Sequence, residues 1–221
     1  MKKCLILIPI LMFFLATNLW ATTWSGILDV GAGLYATTEW SDATLNWSVM
    51  DPNDLNNTTG HWVYTYEFNT GIMTDASQIS HLIIQVSDDF TRADMLPGTT
   101  QLTSTYPYLQ TFDPGNDNPG VPADWNITGI KWEDPTTPNS NIWTVTIVTD
   151  RAYEENPTAG NFYAVDGKGG TGVYALTDGT GAGLPLTPDT KMAKVPEPTT
   201  LVLYGLGFVA AGIYRRLRRT K

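Results

Sequence analysis

Few residues in this chain have types and spacings that could do chemistry. The two histidines, His61 and His81, stand twenty positions apart, a spacing that selects no metal site. No serine sits in a G-x-S-x-G elbow, and Cys4 is the one cysteine, which excludes a disulfide framework and any zinc site built on several thiolates. Carboxylates are plentiful, but nothing in their spacing selects the facing pair that a glycosidase needs. Asp113, Asn116, Asp117 and Asn118 crowd oxygen ligands into one stretch, and Asp88, Asp89 and Asp94 do so in another. Calcium takes six to eight oxygens, so it is the one ion such loops would suit. Neither stretch has EF-hand spacing, and Asp and Asn also cap turns with no ion present. No cofactor is therefore expected and no calcium ligand is singled out. Gly31-Ala32-Gly33-Leu34-Tyr35-Ala36 fits G-x-G-x-x-A, but no helix pattern follows it, so a glycine turn between strands is expected and not a dinucleotide site.

Aromatic residues make the more informative set. Residues 22–195 hold Trp24, Trp40, Trp47, Trp62, Trp125, Trp132 and Trp143. Ring faces pack on the apolar side of pyranoses while Asp and Asn bond the hydroxyls, and large aromatics equally fill cores. Trp62 and Trp143 lie in alternating runs and are expected in the core. Trp40, Trp47 and Trp125 border polar segments and are the candidate glycan contacts. Four Asn-x-Ser/Thr sequons begin at Asn46, Asn56, Asn57 and Asn126.

The elements that must position these residues read as strands. Trp62, Tyr64, Tyr66 and Phe68 alternate with Val63, Thr65 and Glu67. The same period runs through 82–87 and 142–148, with weaker candidates at 26–30, 45–50, 128–133, 162–165 and 173–176. Between them lie turn-forming stretches such as DPNDLNNTTG at 51–60 and FDPGNDNPGVP at 112–122. Many short strands with such separators predict an all-β fold, an antiparallel β-sandwich or jelly-roll-like ectodomain over residues 22–177. Residues 178–195, with Gly179, Gly181, Gly183, Pro185 and Pro188, read as a Gly/Pro linker.

The two ends are of different composition. Lys2 and Lys3 precede an apolar run from Cys4 to Leu15, and Ala16–Ala21 is smaller and more polar. This is the layout of a secretory signal peptide, residues 1–21, with cleavage expected after Ala21. At the other end Leu201–Tyr214 carries no charge, and Arg215, Arg216, Arg218, Arg219 and Lys221 follow at once. A transmembrane helix over 199–214 is expected, with the basic tail cytoplasmic. The whole chain is at −9, but residues 22–195 hold 21 acids against six bases, about −15. Such a body repels phosphate backbones, so nucleic acid is excluded as a partner.

Pro196-Glu197-Pro198, then the short glycine-containing apolar run, then the arginines, resembles the PEP-CTERM sorting signal over residues 196–221. The resemblance implies that an exosortase recognises Pro196, Glu197 and Pro198 and removes the helix and tail. It implies export by the secretion machinery in a Gram-negative bacterium that makes exopolysaccharide, an inner-membrane intermediate, then the cell surface or a biofilm matrix. It implies nothing about the fold or activity of residues 22–195. The expectation is a non-enzymatic exported protein associating with polysaccharide. A secreted carbohydrate-active enzyme on the same scaffold and a permanently anchored single-pass protein are the alternatives.

Overall fold

The computed structural model describes residues 23–72, 79–112, 126–133, 141–153, 157–166, 173–180 and 183–189. All of them belong to one compact unit spanning Ala21–Lys191. The unit is all-β, as expected. Its strands are β1 (Thr23–Val30), β2 (Gly33–Ala36), β3 (Thr44–Met50), β4 (Trp62–Asn69), β5 (His81–Gln85), β6 (Tyr108–Phe112), β7 (Ile127–Glu133), β8 (Ile142–Thr149), β9 (Phe162–Val165) and β10 (Tyr174–Thr177). They form one sheet in the order β6-β7-β5-β9-β10-β2-β1-β3-β4-β8. No helix among the described residues is long and apolar enough to cross a membrane.

The sheet is mixed, because β1 and β2 pair in parallel, Asp29 with Gly33 and Val30 with Leu34. The chain makes one tight turn between them, closed by bonds from Gly31 N to Leu34 O and from Ala32 N to Asp29 O, both 2.9 Å. Gly31 and Gly33 take positive φ there, 80° and 99°, which glycine adopts without Cβ strain. The glycine run read as a turn is this turn, and its second half is a strand. The turn moves the chain sideways by one strand. β1 then pairs with β3, while β2 pairs with β10.

That step joins two halves that fold over one another. β4 and β9 are five strands apart in the sheet, which is about 24 Å if it were flat. The rings of Phe68 on β4 and Phe162 on β9 are 5.4 Å apart. Between the halves lies a continuous core of inward-facing residues, among them Leu28, Leu45, Tyr64, Tyr66, Leu82, Ile130 and Trp132. The two ends of the sheet are also tied. Trp132 Nε1 donates to Thr100 O at 3.0 Å, and Thr100 N donates to Thr146 O on β8 at 2.9 Å. Thr99 and Thr100 hydroxyls accept from Val148 N and Thr146 N, so the Thr146–Val148 part of the β8 edge is occupied by its own chain.

One boundary read from the sequence is corrected. Residues 183–189, within the 178–195 stretch read as a Gly/Pro linker, are part of the folded unit. Tyr66 Oη donates to Leu186 O at 2.7 Å, Asn161 Nδ2 to Pro185 O at 2.7 Å and Asp189 N to Ala152 O at 2.8 Å. Tyr153 and Pro188 form an antiparallel bridge, and Thr187 is buried. Glycine and proline content suggested flexibility. Here it lets an extended segment lie close against the sheet and satisfy buried donors that would otherwise be orphaned.

Candidate functional site

Two of the three tryptophans expected to meet glycan cannot do so. Trp40 is 0% exposed, its ring 5.3 Å from Phe68, in the core. Trp47 is 8% exposed and lies over the backbone of Gly26, its register partner on β1. A Cβ at Gly26 would meet Trp47 Nε1 at 2.7 Å, so glycine is what lets the indole lie flat on the strand. Polar neighbours in the sequence suggested exposure, but alternation along β3 decides the face, and Trp47 points inward. Trp125 lies outside the described residues.

The structure gathers a different aromatic set at one end of the β1-β3-β4-β8 layer. Trp24 is the second residue of β1 and Trp62 the first of β4, both partly exposed at the rim of the core. Their rings stack 6.0 Å apart at 30°. Tyr153, just past β8, packs 4.9 Å from Trp24 and 5.7 Å from Trp62, the latter edge-on. Trp24 is fixed by its register with Val49, Trp62 by its register with Thr149, and Tyr153 by its bridge to Pro188. Three ring faces are thus held on rigid backbone. Trp62 was expected in the core, and it packs against the core cluster while partly exposed. Its position at the first residue of the strand, where the partner layer ends, leaves it half-buried. Trp143 is half-buried as well.

Polar groups surround this end. The loop 51–60 is folded on itself by its own side chains. Asp51 Oδ1 accepts from Asn53 N at 2.7 Å, Asp54 Oδ1 from Asn56 N at 2.8 Å and Asn57 Oδ1 from Thr59 N at 3.0 Å. Thr23 Oγ1 donates to Asp54 Oδ2 at 2.7 Å, tying the loop to the start of β1. Asp54 consequently titrates below the usual carboxylate range, chiefly through the Asn56 N–H and then the Thr23 hydroxyl. His61 Nδ1 meets Asp150 Oδ1 at 2.6 Å on the surface. Thr59, the neighbouring hydroxyl, donates to Asn57 Oδ1 and the His61 carbonyl, and the His61–Asp150 pair acts as a clasp between the loop and the end of β8.

Behind the aromatic end lies a buried ionic hub. Arg151 is 1% exposed. Its Nη1 meets Asp89 Oδ1 at 2.7 Å and its Nη2 meets Asp94 Oδ2 at 3.0 Å. The guanidinium also donates to Asp89 O at 2.6 Å and Asp189 O at 3.2 Å, and it lies 5.5 Å from the Phe90 ring. Tyr64 Oη donates to Arg151 O at 2.8 Å. Asp88, Asp89 and Asp94, one of the two oxygen-rich stretches in the sequence, have protein partners here. Arg151 neutralises two of them, and Asp88 accepts from Thr128 Oγ1 at 2.8 Å. The Asp113–Asn118 stretch lies outside the described residues, among which no group of three or more His, Cys, Asp or Glu could hold a metal. A shallow cleft of about 160 Å³ lined by Gln85, Val86, Ser87, Asp88 and Asp189 adjoins the hub. It is smaller than the ~300 Å³ at which small-molecule pockets begin.

His81 is in neither set. It is buried on β5 beside Lys131, with Nδ1 3.0 Å from Ser80 Oγ and Nε2 without a partner. Burial, and then the Lys131 charge, push its pKa down to about 3, so it is a neutral interior histidine. Among the sequon residues, Asn57 spends its amide on the Asp51 and His61 carbonyls, and Asn46 donates to Glu67 Oε1 at 3.1 Å.

Ala21 and the segment with Pro196, Glu197, Pro198, Arg215, Arg216, Arg218 and Arg219 lie outside the described residues. No curated protein and no solved structure matches the chain. Residues 194–219 match the PEP-CTERM protein-sorting motif. That motif marks a protein exported in bacteria and sorted to the cell surface, with an exosortase as its processing partner.

Proposed function

We propose that the protein is a non-enzymatic component of the extracellular matrix of a Gram-negative, exopolysaccharide-producing bacterium. A signal peptide ending at Ala21 directs it to export, and the 199–214 helix holds it in the inner membrane until exosortase cuts near Pro196–Pro198. The released body associates with exopolysaccharide through the Trp24–Trp62–Tyr153 end. The observation that carries the association is the set of three partly exposed rings on fixed backbone beside Asp and Asn side chains. Stacked aromatics with hydrogen-bonding neighbours suit the apolar faces and hydroxyls of sugars.

The test is where the protein stays once exported. In native cells the wild-type protein is expected to co-sediment with extracellular polysaccharide. A Trp24→Ala/Trp62→Ala variant is expected to be exported equally and to appear in the polymer-free medium. Equal retention of both would remove the aromatic end from the proposal.

A further inference from the structure

We infer that the ligand class of the Trp24–Trp62–Tyr153 end is an uncharged pyranose polymer, and that uronate-bearing polymers are excluded from it. The inference rests on the glycan reading above and adds the charge of the ligand.

Its basis is the supply of cations. Binding a carboxylated sugar calls for an arginine or lysine with donors to spare. The body has six bases, and three lie among the described residues: Arg92, Lys131 and Arg151. All three are committed. Arg151 is sealed between Asp89 and Asp94. Arg92 donates to the carbonyls of Thr103, Thr105, Tyr106 and Pro107. Lys131 Nζ meets Glu133 Oε1 at 2.7 Å and sits on a different part of the sheet, across from Tyr108 and Ile83. Among the described residues at the aromatic end the charged groups are Asp51, Asp54, Asp150 and Asp189, and the titratable base there, His61, is paired with Asp150. Carboxylates and amides accept or donate to hydroxyls, whereas they repel a polyanion, and a body at about −15 adds long-range repulsion at low salt. No described group of acids stands ready to bridge a polyanion through a metal.

The experiment is affinity electrophoresis of the full chain, purified in detergent, in gels containing a soluble neutral β-glucan or alginate, each with and without calcium. The wild type is expected to be retarded by the glucan and to run freely in alginate in both conditions. Each ring removed at Trp24 or Trp62 is expected to weaken glucan retardation on the order of threefold to tenfold. The Phe variants, which keep a ring and a packed end, retain most of it. Retardation by alginate that equals that by glucan and falls with Trp24→Ala and Trp62→Ala would overturn the charge inference and leave the aromatic site standing. Absence of retardation by either polymer, or retardation indifferent to both ring positions, would overturn the site and the inference with it.

Discussion

Arg151 is the side chain on which the most elements depend. It joins the end of β8 to the Ser87–Asp94 stretch and to Asp189; Asp94 is buried with it, while Asp89 reaches solvent. Breaking one member of such a set leaves the others charged and unpaired, which costs about 3–5 kcal/mol. Arg151→Met is expected to lower unfolding free energy by that amount in urea titrations, with Asp94→Asn a smaller version of the same loss. Asp89 titrates below the ordinary carboxylate range, first through the Ser87 hydroxyl and then through Arg151. Its contribution is present above the unfolded-state pKa and lost as pH falls through the lower folded-state value. His81 acts over a higher window. Its folded pKa is lowered from 6.5 to about 3, so the unfolded chain takes up a proton first. Stability is full above 6.5 and drains away toward about 3, by at most about 1.4 kcal/mol per pH unit. In His81→Leu that slope is expected to flatten, measured by urea midpoints between pH 7 and about 4. A wild-type midpoint indifferent to pH over the same interval would contradict the buried neutral histidine.

At the scale of the element, alternation carried most of the fold. The runs around Trp62–Phe68, Leu82–Val86 and Trp143–Ile147 are β4, β5 and β8; the weaker runs are β3, β7, β9 and β10 within a residue, and β1, which starts three residues earlier at Thr23. β2 and β6 were not legible. β2 has four residues, two of them Gly33 and Ala36, and it is a strand because β1 and β10 flank it. β6 is held by β7 alone and by the carbonyls that Arg92 gathers before it. The aromatic end was illegible for the same reason. Which tryptophan reaches the rim depends on where a strand begins relative to the layer opposite, and single-sequence periodicity gives only the face. Gly26 shows the cost of ignoring partners. It reads as a weak strand position, yet Gly26→Val would drive a side chain into Trp47 and is expected to destabilise by about 1–3 kcal/mol. Residues 183–189 make the complementary case. A chain ending after Lys191 keeps every bond to that segment, whereas one ending after Thr180 orphans the Tyr66 and Asn161 donors. With each orphaned group costing about 1–3 kcal/mol, thermal melts are expected to be cooperative for the longer chain and lost for the shorter.

At the scale of the whole molecule, three unlike parts serve one itinerary. The acidic β body carries 21 of the 22 acids, and seven of the 13 bases lie in the two ends. That separation suits the proposed itinerary, in which the body is released and the ends meet the membrane and its processing enzymes. The body's first strand and its last docked segment meet at the same place, since Trp24 packs on Tyr153 and Tyr153 bridges Pro188. Residues 194–219 follow within a few positions of the docked segment and match the sorting motif. The fold therefore closes before the motif begins, and removal of the motif leaves every described contact in place. The most direct test is the intact mass of the protein recovered from its native cells, with cells, membranes and medium fractionated. The account predicts a surface or medium species that begins after Ala21 and ends near Pro196–Pro198, with any excess mass reporting attached sugar. A species that still contains Leu201–Lys221 and is found in the membrane fraction alone would contradict it.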